Sequence, residues 1–159
     1  MRTRPVVGLV AAALVVLHFL LHVGLGIGSA APDLLTVALL LVSREVRVGA
    51  AAGVGLAFGI LEDALSVVAF GVNSVAMTLV GLGGAATRDV FVGDSLVFLV
   101  SYFALGKFTR DLLAWVVMGD ALREPFVNQV LVQGLLGGLY AAVVGIALMA
   151  VTGLWRENP

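Results

Sequence analysis

Six long apolar runs, separated by short polar breaks, make up most of this 159-residue chain. Hydrophobic residues are 61% of the sequence and charged residues 12%, whereas a soluble domain carries roughly 45–50% apolar and about 25% charged residues. This composition excludes a water-soluble domain and a disordered chain, and it indicates a helical protein that crosses a membrane several times. The net charge of -1 also leaves no basic surface of the kind that nucleic-acid binding requires.

The runs predict an all-α bundle of six transmembrane helices in a single integral membrane domain, residues 1–159, because each crossing needs roughly 20 apolar residues. The second run is short and reaches an adequate length only if Arg44 and Arg47 extend to the interface, so a tilted, partial span is the alternative. The predicted spans are residues 5–27, 32–46, 49–70, 74–87, 95–118 and 126–154. Ser29-Ala30-Ala31 resembles a signal-peptidase site, but the preceding run exceeds the roughly 7–15 apolar residues of a signal peptide. We therefore expect the first helix to be retained.

The arginines predict the orientation, since short cytoplasmic loops of membrane proteins are rich in Lys and Arg. With the amino terminus in the cytoplasm, Arg123 is the one arginine of an outer loop. The arginines that then face the cytoplasm are Arg2, Arg4, Arg44, Arg47, Arg88 and Arg156. We therefore expect a multi-pass protein with both termini in the cytoplasm. The absence of cysteine excludes a disulfide and a thiolate metal site.

Ionisable residues inside the runs are the most informative feature, because charges within a membrane are expensive and face the bundle interior or a cavity. At about 1.5 Å per residue, Asp63 lies roughly 20 Å along the third run, and Lys107 and Arg110 lie at a similar depth in the fifth. We expect Asp63 to meet Arg110 or Lys107 across helices. Glu62 is a further counter-charge, and Lys107 can also pair with Asp111 four residues later.

Two interpretations of this polar level remain open. One is a structural ion-pair core that fixes the order of the helices; the other is a polar site that opens outward, or a path for protons or ions. His18 lies at this level on the first helix, and His22 lies one turn further along. Both could join either arrangement. Two histidines at this spacing also occur in metal sites, but no third ligand is evident, so we expect no metal and no cofactor.

The spacing of the glycines bears on helix packing, and the catalytic motifs bear on function. Gly49 to Gly53 and Gly55 to Gly59 both fit G-x-x-x-G, which lets helix backbones approach closely, either within the bundle or at a partner-binding face. Gly93-Asp94 and Gly119-Asp120 resemble part of the G-x-G-D motif of intramembrane aspartyl proteases, but both lack its first glycine. No nucleophile elbow or P-loop occurs, so the sequence predicts no enzyme.

Residues 32–81 resemble the MreD family, the rod-shape-determining membrane proteins of bacteria. Pro32 and Asp33 open the second run, and Gly59-Ile60-Leu61-Glu62-Asp63-Ala64-Leu65-Ser66 ends a Gly-rich helix. The turn Phe70-Gly71-Val72-Asn73-Ser74 and a glycine in the next helix follow. The positions that match the family pattern are Pro32, Asp33, Asp63, Ser66, Gly71, Asn73 and Gly81.

This resemblance implies a non-enzymatic scaffold of the cell-elongation machinery in the bacterial cytoplasmic membrane. Its partner would be MreC, and the RodA glycosyltransferase, its class B penicillin-binding protein and MreB would belong to the larger assembly. The MreD family is also similar to the substrate-binding S components of energy-coupling-factor transporters, which are six-helix bundles with an outward pocket. A vitamin- or metal-binding S component is therefore the alternative function, and an ion- or proton-coupled carrier is a third hypothesis.

Overall fold

The computed structural model describes residues 3–24, 33–65, 70–88, 95–120 and 122–153. Regular secondary structure over these residues is entirely helical, which confirms the predicted all-α class. A π-helical segment, Leu20–Gly24, extends the first helix, and another, Val127–Gln133, precedes the last. The α-helices are α1 (Thr3–Phe19), α2 (Leu34–Ser43), α3 (Val48–Leu65), α4 (Val72–Arg88), α5 (Leu96–Val117) and α6 (Gly134–Val151).

Three helical stretches of the described residues are long and apolar enough to cross a membrane: Pro5–His22, Val48–Leu65 and Val127–Val151. The α5 helix has 22 residues but carries three charged side chains. The α2 and α4 helices are apolar and shorter. The third predicted span, 49–70, contains α3, which is described from Val48 to Leu65, and Phe70 at the end of that span lies in a turn.

The short α2 helix lies in the middle of the bundle, where it packs against α1, α3, α4, α5 and α6. Its residues from Leu34 to Leu41 are all buried, as expected for a helix that is apolar on every side. With 10 residues it is about 15 Å long, half of the roughly 30 Å hydrocarbon layer. The predicted helical span 32–46 is therefore wrong at its end: the helix stops at Ser43, Arg44 to Val46 form a turn, and α3 begins at Val48.

The α3 and α4 helices pack in antiparallel contact through glycines. A Cβ atom on Gly81 would lie 2.5 Å from the carbonyl oxygen of Ala51, and one on Gly55 or Gly59 would overlap the backbone of α4. The second G-x-x-x-G motif therefore serves packing inside the bundle. Gly49 and Gly53 of the first motif have open space at the Cβ position, so their face of α3 is not covered by the described residues.

The outer surface of the bundle is apolar. On α6, Gly138 and Gly145 pack closely against α5, while the opposite side exposes Leu135, Leu139 and Val143. Exposed aliphatic side chains on this scale mark a surface that is covered by lipid or by another protein.

Candidate functional site

Five charged side chains meet inside the bundle, and we call them the charge cluster: Asp33, Glu62, Lys107, Arg110 and Asp111. Asp33 caps the amino terminus of α2, Glu62 lies in the last turn of α3, and the other three lie on α5. Their side chains are between 11% and 22% exposed. The cluster therefore sits where the ends of two helices meet the middle of a third.

Arg110 is the centre of the cluster. One guanidinium nitrogen, Nη2, donates to Glu62 Oε1 and, at 2.7 Å, to Asn73 Oδ1 on α4. The other, Nη1, lies 3.2 Å from Asp111 Oδ1 and 3.8 Å from Asp33 Oδ2. The planar fork of an arginine can reach several acceptors at once. One side chain of α5 thus ties that helix to α2, α3 and α4.

Lys107 completes the pairing. Its ammonium group donates to Asp111 on the same helix and lies 3.4 Å from Asp33 Oδ2. The facing α6 helix carries Gly137, where a Cβ atom would lie 3.4 Å from Lys107 Cε. This is an ordinary van der Waals distance, so Gly137 of α6 lies directly beside the lysine stem.

The buried carboxylate of Asp33 accounts for the two cations beside it in the charge cluster. Its carboxylate caps α2 by accepting from the Thr36 amide at 3.0 Å and the Thr36 hydroxyl at 2.7 Å. Because α2 is short, this capped end lies within the bundle beside α5 rather than at a polar surface. Lys107 and Arg110 then neutralise a carboxylate that would otherwise be buried alone, which is costly.

The expected pairing of Asp63 with Arg110 or Lys107 is wrong. Asp63 is 1% exposed and accepts four hydrogen bonds from the turn that leads into α4. The donors are the Gly71, Asn73 and Ser74 amides at 2.9, 3.0 and 2.9 Å and the Ser74 hydroxyl at 2.6 Å. The free N–H groups of a helix amino terminus satisfy this carboxylate as completely as a cation would. Gly71 has a φ of 98°, a conformation that favours glycine and brings these groups together.

Glu62 makes the contact to Arg110 that the sequence also allowed. Successive residues point about 100° apart around a helix, so Glu62 and Asp63 face different neighbours. Asn73 links the two sites, since its amide donates to Asp63 and its side-chain oxygen accepts from Arg110. The predicted Lys107 to Asp111 pair is present as well.

Of the other predicted residues, His18 and His22 lie on the first helix, Gly81 lies on α4, and two lie outside the described residues. His18 is buried at the end of α1, its ring stacks on His22 at 4.1 Å between centroids, and the His22 Nδ1 atom lies 3.0 Å from the His18 carbonyl oxygen. Gly81 belongs to the contact between α3 and α4. Pro32 and Ser66 lie outside the described residues. Among those described, no group of three or more His, Asp or Glu side chains could hold a metal ion.

Membership of Asp33 in the charge cluster was missed from the sequence, which placed this residue only at the start of the second run. The capping sequence could have revealed it. Asp33 is followed three residues later by Thr36, and the polar stretch that begins at Ser43 comes only ten residues after Asp33. A capped helix of that length ends inside a membrane-sized bundle.

A groove of about 610 Å³ between α4 and α5 is the other notable feature of the described residues. Leu40 of α2 lies at its floor, and both walls are lined mainly by aliphatic side chains, glycine and hydroxyl groups. None of the charge cluster residues lines it.

The described residues thus define an all-helical chain with membrane-sized apolar helices and a neutralising charge cluster in its interior. Comparison with known protein families, curated proteins and solved structures found no match for the chain.

Asp63 offers the first test of this geometry. Asp63→Asn should destabilise the protein more than Ser74→Ala, because the asparagine NH₂ group cannot accept from donors, whereas the alanine removes one hydroxyl bond. We expect about 2–3 kcal/mol for the first change and about 1 kcal/mol for the second. Thermal unfolding of the purified protein in detergent, followed by tryptophan fluorescence, measures both. Equal losses would contradict the role of Asp63 as the cap of α4.

Proposed function

We propose that this chain is a non-enzymatic scaffold subunit of the bacterial cytoplasmic membrane that serves cell elongation and peptidoglycan synthesis. Its direct partner would be MreC, within an assembly that also holds RodA, its class B penicillin-binding protein and MreB. The proposal starts from the resemblance of residues 32–81 to the MreD family.

The observation that carries the proposal is the way the polar residues of that segment are used. The backbone amides of Gly71 and Asn73 both donate to the Asp63 carboxylate, which joins α3 to the start of α4. Asp33 and Glu62 pair with cations of α5. These groups use their hydrogen bonds and ion pairs to hold the helices in place, as a scaffold requires. The apolar outer faces of the helices then remain available for contacts with partners.

The membrane arrangement that we propose has six helices and both termini in the cytoplasm. The charged turn at Arg44 and the carboxyl end of α4 at Arg88 then lie on the cytoplasmic side, in agreement with the positive-inside rule. The α2 helix crosses only part of the layer and is shielded from lipid by its neighbours, which accounts for a ten-residue helix in such a bundle.

Two surfaces suit a partner. The first is the open face of α3, where Gly49 and Gly53 allow another transmembrane helix to approach closely. The second is the outer rim from Asp120 to Phe126. Within it, Arg123 donates to the Val116 and Met118 carbonyl oxygens at 2.9 and 2.7 Å, and its guanidinium carbon lies 4.8 Å from the centroid of the Trp115 ring. These contacts hold Arg123 against the end of α5, where a partner segment outside the membrane could meet it.

The alternative of a solute-binding S component has one observation in its favour. The groove of about 610 Å³ falls within the range of roughly 300–1,000 Å³ that is usual for ligand sites. Its walls, however, are the exposed sides of two neighbouring helices, so it faces sideways rather than along the bundle axis. That position favours the scaffold.

Co-purification with MreC tests the scaffold. The tagged full-length chain, co-expressed with MreC and extracted in detergent, should recover MreC. Gly53→Leu should lower the recovered amount by about tenfold, because a branched side chain would hold the partner helix away from α3. Gly8→Leu is the matched control, since Gly8 is also a helical glycine with open space around its Cβ position.

The outcomes separate the hypotheses. Recovery of an ATPase together with its coupling subunit, in place of MreC, would support the transporter and contradict the scaffold. If Gly53→Leu and Gly8→Leu lowered the recovery of MreC equally, the open face of α3 would be excluded as the contact surface.

A further inference from the structure

The groove between α4 and α5 runs along the bundle from one helix end to its middle. One wall carries Leu79 and Gly83 of α4, and the other carries Ser101 and Leu105 of α5. At one end lie Thr87, near the end of α4, and Ser95, the cap of α5; at the other lies Thr109. From Ser95 to Thr109 the groove is about 21 Å long, close to the depth of one leaflet, about 15 Å of hydrocarbon plus its interfacial region.

Contacts of α5 with its neighbours fix the walls of the groove. About midway along the groove, the Tyr102 hydroxyl donates to the Leu40 carbonyl oxygen of α2 at 2.9 Å and lies 3.4 Å from the Gly84 carbonyl oxygen of α4. Towards the Thr109 end, Arg110 fixes α5 to Asn73 of α4. A Cβ atom on Gly83 would meet nothing within 4 Å. The space is therefore built into the fold, and in a close-packed membrane another molecule fills it.

The lining and direction of the groove favour an acyl chain as its occupant. The groove follows the helices for about 21 Å, opens at the side of the bundle, and is lined mainly by aliphatic side chains and glycines. In the proposed membrane arrangement this side faces the acyl chains of the surrounding lipid.

Charge marks one end of the groove. Arg44, at the end of α2, places its guanidinium carbon 5.9 Å from the ring centroids of Phe98 and Tyr102, two rings that line the groove between its Ser95 end and its middle. A cation at the polar end and an aliphatic channel leading away from it match the two parts of a lipid with a negatively charged head.

We infer that the groove between α4 and α5 binds an anionic glycerophospholipid, with one acyl chain along Gly83 and Leu105 and the phosphate beside Arg44. In the proposed orientation this is a lipid of the cytoplasmic leaflet. The inference rests on the membrane location of the chain and not on its partner, so it is tested on the isolated protein.

The experiment is native mass spectrometry of the full-length chain in detergent, titrated separately with phosphatidylglycerol and phosphatidylcholine of identical acyl chains. The chain should retain one phosphatidylglycerol with about fivefold higher affinity than phosphatidylcholine, since an arginine at the membrane surface contributes about that much to binding an anionic lipid. Gly83→Leu fills the groove at a position where the fold has room and where leucine favours the helix, and it should lower retention of phosphatidylglycerol by about tenfold. Gly8→Leu should leave retention unchanged.

Arg44→Gln tests the head group: retention should persist and the preference for phosphatidylglycerol should disappear. Should this variant fail to fold, the same preference in the native chain should fall as salt is raised. Equal affinity for the two lipids in the native chain, or unchanged retention with Gly83→Leu, would overturn the inference. So would a Gly83→Leu variant that keeps its lipid and loses MreC, because the groove would then hold a protein.

Discussion

Arg110→Leu is expected to cause the largest loss of stability of any single side-chain truncation in the charge cluster. The leucine leaves Glu62 without its cation and removes the link from α5 to Asn73 and Asp33. Removing one partner of a buried ion pair costs about 3–5 kcal/mol, because the remaining charge stays buried and unpaired. Thermal unfolding in detergent should show this loss together with an increased fraction of aggregated protein on gel filtration.

Arg110→Lys is the matched control. It keeps the charge and loses the fork that reaches several acceptors, so its stability should lie between those of the native protein and Arg110→Leu. A leucine variant as stable as the native chain would show that the cluster contributes nothing to holding the helices. A lysine variant as unstable as the leucine variant would assign the effect to geometry alone.

Gly55→Ala is expected to weaken the contact between α3 and α4 almost as strongly. The new methyl group would overlap the Met77 carbonyl of α4, and backbone cannot move aside as a flexible side chain can. Overpacking of this kind costs about 3 kcal/mol, and Gly59→Ala, which meets the backbone at Ser74, should add to it.

Gly53→Ala on the same helix is the control for Gly55→Ala. Its Cβ position is open, and alanine favours a helix over glycine by up to about 1 kcal/mol, so this variant should be as stable as the native chain or slightly more stable. Thermal unfolding of the two variants side by side measures the difference. Equal stability of Gly53→Ala and Gly55→Ala would contradict the glycine contact.

The sequence predicted well those features that depend on the length and spacing of apolar residues. The fifth run, 95–118, matches α5 at Leu96–Val117 to within one residue at each end, and the pairing of Lys107 with Asp111 follows from their separation of four. The predicted end of the second helix was wrong because hydropathy reports how far apolar residues continue and not where a helix ends inside a bundle. Polar Ser43 and Arg44 end α2 short of a full crossing.

The sequence predicted which residues belong to the candidate site better than it predicted which of them touch each other. Arg110 and the carboxylate of Glu62 meet as the sequence allowed, but Asp33 rather than Asp63 joins the cations, and Asp63 binds the amides of the turn into α4. Adjacent carboxylates face different directions on a helix, and one-dimensional spacing cannot say which of them finds a cation and which finds the amides of a turn. That choice depends on the path of the chain between α3 and α4.

The short central helix also has a consequence for the order in which the protein is made. Asp33 belongs to α2, while the cations that neutralise it, Lys107 and Arg110, are synthesised only with α5. Until α5 leaves the ribosome, α2 carries an uncompensated carboxylate and exposes apolar sides to which no neighbour has yet been added. The neutralisation of its carboxylate and its contacts with α5 are therefore completed late in biosynthesis, after segments that follow α2 in the chain have inserted.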